Sequence, residues 1–363
     1  MSKRFLVYLG IIAGFAGLCG CQTELDHFTM DDFARIEKID AHVHVNSADP
    51  VFIELARADN FKLLTVNVDY PDFPPIDDQQ SCALTHKQNH PDLIAFASTF
   101  SMAGWDEPDW QEKVMRRLDD SFAKGAVAVK VWKNIGMEFR ASDGKLVMID
   151  DPKFDAVFDP IRQQQKVLIG HQGEPKNCWL PIAEMTVNND KGYFENHPQY
   201  HMFVHPEMPS YEDQMAARDR MLEKNREIHF MGAHLASLEW SVDEIAKFLD
   251  HFPNATADLA ARMGQVQYQS SRDREKVRLF FSKYQDRILY ATDLTQAPDA
   301  NPEEFKTEVH AKWLDDWKYL NTDSIMSVPE LDESFQGLAL PKTVVNKIYR
   351  LNAQRVFSAA WKN

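Results

Sequence analysis

Short apolar runs recur along this chain, and amphipathic stretches separate them. A short apolar run is typical of a strand buried on both faces, and an amphipathic stretch predicts a helix packed outside it. We predict strands at Ile39–His44, Leu63–Val68, Leu93–Ser98, Ala126–Trp132, Val167–His171, His229–His234, Ala255–Leu259 and Ile288–Asp293. The predicted helices include Trp110–Lys124, Pro152–Gln165, Tyr211–Asn225, Val242–Phe252 and Arg272–Tyr284. Eight strands with helices between them predict an α/β fold, the (β/α)8 TIM barrel.

The length of the chain indicates where this barrel carries extra segments. The chain has 363 residues, more than the ~250 of a typical TIM barrel. The additional residues lie mainly in two places. Residues 172–233 form a long insertion after strand 5, and the residues beyond Asp293 are expected to form a C-terminal helical extension. Residues 174–209 are rich in aromatic, proline and histidine residues, so they form either a loop that covers the substrate or an insertion packed on the barrel rim. The alternative fold is an open doubly wound sheet, but no Gly-rich phosphate loop follows the first strand.

The first residues have the pattern of an export signal. Lys3 and Arg4 precede an apolar run at 5–18, which is shorter than the ~20 residues that span a bilayer. The run ends in Leu-Cys-Gly-Cys, which resembles the lipobox of bacterial lipoproteins. The resemblance implies cleavage after Gly20 and lipidation of Cys21, whereas an ordinary secretory signal is the alternative. We therefore expect a lipoprotein signal peptide at 1–20, a linker at 21–37 and a catalytic barrel domain at 38–363.

The charge of the chain limits its partners. Acidic residues number 55 and basic residues 40, which gives a net charge of -15. This balance repels phosphate backbones, so we expect no nucleic-acid partner. The expected partner is a small-molecule substrate. We expect contact with a bacterial membrane only through the lipid anchor, on the periplasmic or cell-surface side. The sequence does not determine whether the protein forms a homo-oligomer. In such a compartment Cys82 and Cys178 could oxidise, but the sequence does not show whether they pair.

Histidine and aspartate side chains stand at the ends of four predicted strands, where TIM barrels build their active sites. These residues are His42 and His44 on the first strand, His171 on the fifth, His234 on the sixth and Asp293 on the eighth. Imidazole and carboxylate are the ligands that zinc prefers, and manganese or iron would also accept them. The five residues therefore predict one divalent metal ion, zinc first, whereas histidines hydrogen-bonded in the core are the alternative.

Strand alternation predicts which way the first strand's side chains point. Ile39, Ala41 and Val43 share one face, which we expect to meet the helices. The other face, with Asp40, His42 and His44, is then expected to point into the barrel.

Several motifs, taken in order, resemble the amidohydrolase superfamily, in its amidohydrolase-related branch of metal-dependent barrel hydrolases. That branch also contains decarboxylases such as aminocarboxymuconate-semialdehyde decarboxylase. The resemblance runs from about Ile39 to Phe357. The motifs are Ile-Asp-Ala-His-Val-His at 39–44, Gly-His-Gln-Gly-Glu-Pro at 170–175, Gly-Ala-His-Leu at 232–235, Leu-Tyr-Ala-Thr-Asp at 289–293 and the closing Lys-Ile-Tyr-Arg-Leu-Asn-Ala-Gln-Arg-Val-Phe at 347–357.

The resemblance implies roles for the five residues. His42, His44, His171 and Asp293 would bind the metal, and His234 would act as the catalytic histidine beside it. Asp293 or His234 would accept a proton from water and return it to the leaving group. The expected reaction is hydrolysis of a C–O or C–N bond in a small polar compound such as a lactone or an amide. The alternatives are non-oxidative decarboxylation of a small carboxylic acid and a non-catalytic ligand-binding lipoprotein.

Four further side chains are less settled. By strand alternation Lys130 points into the barrel, where it would bind a polar group or carboxylate of the substrate. A second possibility for Lys130 is carbamylation, which occurs at a lysine in this position in the superfamily's two-metal members. A third is a structural ion pair with Asp258. Lys133 is expected in a loop or at the surface. His205 and Arg262 are further candidates for substrate contact. The alternative for His205 is a place in an insertion packed on the barrel rim, and the alternative for Arg262 is a surface salt bridge.

Overall fold

The computed structural model describes residues 26–361, and eight parallel strands in it pair in chain order. The predicted signal peptide and Cys21 lie outside the described residues. The strands are β1 Lys38–Val45, β2 Phe61–Val66, β3 Ile94–Thr99, β4 Ala128–Val131, β5 Val167–Gly170, β6 His229–Gly232, β7 Ala255–Asp258 and β8 Ile288–Leu289. A two-residue strand, β9 Thr295–Gln296, then pairs with the end of β1.

Backbone hydrogen bonds between β1 and the chain after β8 close the sheet. The Ala41 amide donates to the Tyr290 carbonyl (3.0 Å), and the Asp293 amide donates to the His42 carbonyl (2.8 Å). The segment after β8 therefore continues as the eighth wall of the barrel, although its backbone is too irregular to count as a strand. The prediction of an α/β TIM barrel is confirmed.

Helices cover the outside of the barrel. The α-helices longer than four residues are Val51–Ala58, Ile76–Asn89, Trp110–Ala123, Asp155–Gln163, Asn188–Asn196, Tyr211–Lys224, Val242–His251, Met263–Lys283, Pro302–Asn321, Lys342–Asn346 and Asn352–Val356, with a π-helical turn at Lys347–Leu351. The segment Met263–Lys283 is interrupted at Asp273, whose backbone is not helical (φ -151°, ψ 84°), so the helix predicted at Arg272–Tyr284 corresponds to its second part. Among the described helices, none has the length and apolar character needed to cross a membrane.

A β-bulge corrects the predicted facing of β1. The register with β2 shifts between Asp40 and Val43, and an extra residue at a bulge reverses the alternation of side chains beyond it. Ile39 and Ala41 consequently lie among the apolar residues inside the barrel, while Val43 packs in the helix-side core. The expectation that Ile39 and Ala41 face the helices was wrong, and so was the expectation that Asp40 faces inward: it bonds to Trp313 on the helix Pro302–Asn321.

Two added segments complete the barrel. The insertion between β5 and β6 carries the helices Asn188–Asn196 and Tyr211–Lys224, and its own small core includes Met185, Phe194 and Met202. At the other end, Ala353 and Phe357 pack against the apolar interior of the barrel. The long insertion and the C-terminal helical extension are therefore both present. Cys82 and Cys178 are free thiols.

Lys38 attaches the segment before β1 to the barrel. Its ammonium group is buried and donates to three backbone carbonyls, those of Phe33, Ile36 (2.8 Å) and Asp59 (2.8 Å). Phe33 itself is buried against Phe61 and Trp317. The part of the expected linker that the structure describes, from residue 26, thus packs on the barrel.

We expect Lys38→Met to lower the free energy of unfolding by at least ~2 kcal/mol, because three buried carbonyl groups would lose their donor. Urea unfolding followed by circular dichroism measures this change. Lys145→Met is the control: its side chain is 83% exposed and pairs with Asp143, so its loss should cost less than ~1 kcal/mol. Equal effects of the two substitutions would contradict the role of Lys38.

Candidate metal centre

Three of the five predicted side chains meet at one point inside the barrel mouth. Asp293 Oδ1 lies 3.4 Å from His42 Nε2 and 3.2 Å from His44 Nε2. One ligand atom from each of the three residues lies within 4.8 Å of the other two. An imidazole pair and a carboxylate at this spacing form a candidate metal-binding triad.

The two remaining histidines lie beside this triad. The His234 ring is 5.2 Å from the His42 ring and 4.1 Å from the His171 ring, measured between centroids. The Nε2 atom of His171 is buried and has no hydrogen-bond partner among the described residues. A buried nitrogen left without a partner needs a ligand, a water or an ion to satisfy it. The triad therefore fits a divalent cation, and the unpartnered His171 nitrogen lies in the same cluster of histidines.

The second nitrogen of three imidazoles is held by a protein oxygen. The oxygen atoms are Asp258 Oδ2 at 3.0 Å from His42 Nδ1, the Val66 carbonyl at 2.6 Å from His44 Nδ1 and the Ala260 carbonyl at 3.0 Å from His234 Nδ1. The Val66 and Ala260 carbonyls can only accept, so the Nδ1–H groups of His44 and His234 donate to them. The Nε2 atoms of His42 and His44 face Asp293. Partners of this kind orient metal-binding histidines and raise their basicity.

The electrostatics of the site favour the protonation states that metal ligands require. Burial lowers the pKa of His171 and of His234 well below the usual value, and it also lowers that of His42. Burial acts to raise the pKa of Asp293, but His234, His44 and His42 hold it well below the usual value. Neutral imidazoles with an ionised carboxylate are the forms that bind a metal.

Three of these side chains come from turns rather than from strand ends. His171 follows β5 directly, His234 lies two residues past β6, and Asp293 lies four residues past β8 with φ at 69°. Strand alternation therefore cannot determine where they point. Their positions depend on backbone conformations that a strand does not adopt.

Asp40 positions Asp293 from the helix side of the barrel. Its carboxylate accepts from the Thr292 amide (3.1 Å), the Thr292 hydroxyl (2.6 Å) and Trp313 Nε1 (2.9 Å). Because Thr292 immediately precedes Asp293, these bonds hold the turn that brings Asp293 to the histidines. This role of Asp40 was not predicted, because the alternation of side chains along the first strand placed Asp40 inside the barrel.

A left-handed turn positions His234. Residues 234–237 all have φ between 56° and 58°, a conformation that costs a non-glycine residue about 1–2 kcal/mol. Asp258 Oδ1 accepts from the His234 amide (2.7 Å), and the Tyr211 hydroxyl donates to the Ser237 carbonyl (2.6 Å). Gly232 permits the turn, because a Cβ there would lie 2.4 Å from the Ala236 Cβ.

Lys130 lies inside the barrel next to the triad. Its Nζ is 3.1 Å from His42 Nε2, and burial lowers its pKa to about 8 even though Asp293 and Asp258 act to raise it. The two oxygens of Asp258 bind His42 and the His234 amide. Within the described residues, the Lys130 ammonium makes its hydrogen-bond contact with His42.

A cavity of ≈250 Å³ opens above these residues, and we call it the metal cavity. Aromatic side chains wall it: Phe73 lies 5.0 Å from the His44 ring, and Tyr70 lies 4.9 Å from Trp132. His44, His171, His234, Asp293 and Lys130 line it as well.

Lys133, expected in a loop or at the surface, lies in the loop after β4 but is mostly buried. Its side chain is 12% exposed, lines the metal cavity and forms an ion pair with Glu174, which is 6% exposed. Both residues follow a strand end by a few positions. That placement in the sequence could have identified them as candidate site residues.

His205 and Arg262 lie outside the walls of the metal cavity. His205 lines an adjoining cavity, and its Nε2 is 3.0 Å from the Pro198 carbonyl. Arg262 is buried just before the helix Met263–Lys283 and donates from Nη1 to the Ala261 carbonyl (2.9 Å). Its Nε has no partner among the described residues, so it is not a surface residue.

The barrel and its histidine–aspartate centre define the class of metal-dependent barrel enzymes. The family model for amidohydrolases matches residues 145–359, which is more than half of the chain. The chain therefore belongs to the amidohydrolase family, and this membership indicates an enzyme. No curated protein matches the chain.

Solved structures resemble the chain in fold. One is an uncharacterized TIM-barrel protein from Bordetella bronchiseptica, with 12% identity, a TM-score of 0.51 and coverage of 90% of this chain and 100% of the other. Another is 2,6-dihydroxybenzoate decarboxylase from Rhizobium, with 14% identity, a TM-score of 0.50 and coverage of 89% and 98%. At such identities the likeness concerns the fold alone.

We expect Asp258→Asn to weaken zinc binding by about 10–100-fold, because the carboxylate that orients His42 would be lost. Competition with a fluorescent chelator measures the zinc affinity. Asp316→Asn is the control, since Asp316 is equally buried but binds Tyr290 and Lys312 on the helix side. A folded Asp258→Asn variant with unchanged zinc affinity would contradict the orienting role.

Proposed function

We propose that the protein is a metal-dependent hydrolase that cleaves a C–O or C–N bond, such as that of a lactone or an amide, in a small polar compound. The observation that carries the proposal is the triad of His42, His44 and Asp293, together with the buried, unpartnered Nε2 of His171 close to the His234 ring. A cation bound at the triad would also give that buried nitrogen a partner.

We assign the metal to His42, His44, His171 and Asp293, with a single zinc ion as the first choice and manganese or iron as alternatives. Bound there, the cation would supply a Lewis acid that polarises a carbonyl group and lowers the pKa of water.

The remaining side chains would move protons and hold the substrate. His234 keeps its proton on Nδ1, where the Ala260 carbonyl accepts it, so Nε2 is free to accept a proton inside the cavity. Asp293 is the second proton acceptor. The Lys130 ammonium would hold a polar or anionic group of the substrate, and the aromatic walls would keep water away from it.

A second candidate is non-oxidative decarboxylation of a small carboxylic acid. The buried ammonium group of Lys130 next to the triad favours it, because such a group would bind a substrate carboxylate. In that reaction His234 Nε2 would first take a proton from water, leaving hydroxide, and would then pass it to the carbon that loses carbon dioxide. The same ligands serve both reactions, so product analysis must separate them.

We expect His234→Asn to retain zinc while turnover falls by about 10²–10⁴-fold, because the variant loses a proton acceptor without losing a metal ligand. Elemental analysis gives the metal content, and a screen of sugar lactones, N-acyl compounds and aromatic carboxylates gives the activity. Release of a proton indicates lactone hydrolysis, and release of carbon dioxide indicates decarboxylation.

The control for this substitution is His251→Asn, because His251 is exposed on an outer helix and pairs with Glu223. Its turnover should match that of the unsubstituted protein. Loss of zinc from His234→Asn would make His234 a ligand. A metal-free protein, even after zinc supplementation, would favour the non-catalytic binding lipoprotein.

We also propose that the mature protein is exported and attached to a bacterial membrane through lipid on Cys21, on the basis of the Leu-Cys-Gly-Cys sequence. Cys21→Ser should abolish labelling with a fatty-acid analogue and release the protein from the membrane fraction. Cys19→Ser is the matched control and should remain labelled and membrane-bound. Labelling that survives Cys21→Ser would refute the anchor.

A further inference from the structure

A second cavity adjoins the metal cavity and meets it at Lys133. Its volume is ≈170 Å³, and it lies between the loop after β4 and residues 199–208 of the insertion. We call it the side compartment. At ~30 Å³ for a water-sized group, it holds about five such groups.

Lys133 lies at the boundary between the two cavities. Its Nζ is 5.7 Å from the ring centroid of Trp132, which lines the metal cavity, and 5.7 Å from that of Tyr200, which lines the side compartment. The ion pair with Glu174 holds the ammonium group there. Lys133 thus forms part of the wall of both cavities.

Thioether and aromatic side chains form much of the compartment wall. Met137 and Met202 are buried, Met208 is half-buried, and the Tyr200 ring faces the same space. Methionine side chains adapt to apolar groups of varied shape. His205 also lines the compartment, but its Nε2–H donates to the Pro198 carbonyl (3.0 Å). It acts as wall rather than as a free hydrogen-bond donor.

The charges around the compartment disfavour an anion. Glu138, Glu174 and Glu207 line it, whereas Lys133 is its sole lysine and is already paired with Glu174. Placing another negative charge among three carboxylates is unfavourable. A neutral group meets no such penalty.

We propose that the side compartment binds a neutral apolar substituent of the substrate, such as a short alkyl chain, while the polar reacting group lies in the metal cavity. This inference rests on the proposed function for the placement of the reacting group. The substrate class is then a lactone, amide or acid that carries an apolar arm without a terminal negative charge.

Straight-chain hydroxamic acids of two to eight carbons test the compartment on zinc-loaded protein, because the hydroxamate group binds the metal and the chain varies. Calorimetric titration should show the Kd falling by about fourfold per added methylene until the compartment is full. A Kd that does not change with chain length would overturn the proposal.

Substitutions in the wall of the side compartment test whether the alkyl chain binds there. Met208→Trp fills the compartment and should flatten the dependence on chain length, and Met202→Ala should extend it to longer chains. Met185→Ala is the matched control, since Met185 is as buried as Met202 and lies in the same small core but does not line the compartment. Acetohydroxamic acid should bind all variants equally. An unchanged profile in Met208→Trp would place the chain elsewhere.

The charge requirement is tested with the monohydroxamate of adipic acid. It should bind about tenfold more weakly than hexanohydroxamic acid, and combined Glu138→Gln and Glu207→Gln substitutions should narrow the difference. Equal or tighter binding of the anionic compound would overturn the requirement for a neutral arm.

A titration without metal separates this proposal from the proposed function. If the protein binds none of zinc, manganese and iron, the proposed reaction fails, but 1-hexanol still probes the compartment. Saturable binding that Met208→Trp removes would support the compartment, and its absence would refute it.

Discussion

The closure of the barrel between β1 and the chain after β8 is the contact on which the rest of the site depends. The Asp293 amide donates to the His42 carbonyl, and Asp40 holds Thr292 from the helix side. These bonds bring a carboxylate from one end of the barrel domain against two imidazoles from the other. Without the closure, His42 and His44 would lack their carboxylate partner, and no metal-binding triad would exist.

The neighbouring strands add a neutral, preorganised environment to that contact. Burial keeps His171 and His234 uncharged, while the surrounding imidazoles favour an ionised Asp293. The left-handed backbone at 234–237 is unfavourable by itself, and hydrogen bonds from Asp258 and Tyr211 hold it. Local strain that the surroundings maintain is common at functional sites, because it places a side chain where regular structure would not.

Much of the fold could be predicted from the sequence, since eight apolar runs mark eight strands to within a few residues. The order of the histidines and Asp293 along the chain also predicted one cluster at the barrel mouth. The direction in which the β1 side chains point could not be predicted, because the bulge after Asp40 reverses their alternation between the two faces of the strand. Lys133 was missed because loop position alone does not show burial, whereas its partner Glu174 comes from the next strand's loop.

The sequence by itself determined the barrel class and the set of candidate metal ligands, because these depend on residue types and on periodicity along one chain. The family was indicated by the resemblance of its motifs. The tertiary structure alone decided which nitrogen of each imidazole faces the centre, how Asp40 supports Asp293, and that a side compartment adjoins the metal cavity. Those features arise from contacts between segments far apart in the chain. Hydrogen-bond partners and cavity walls of this kind leave no periodic signal in the sequence.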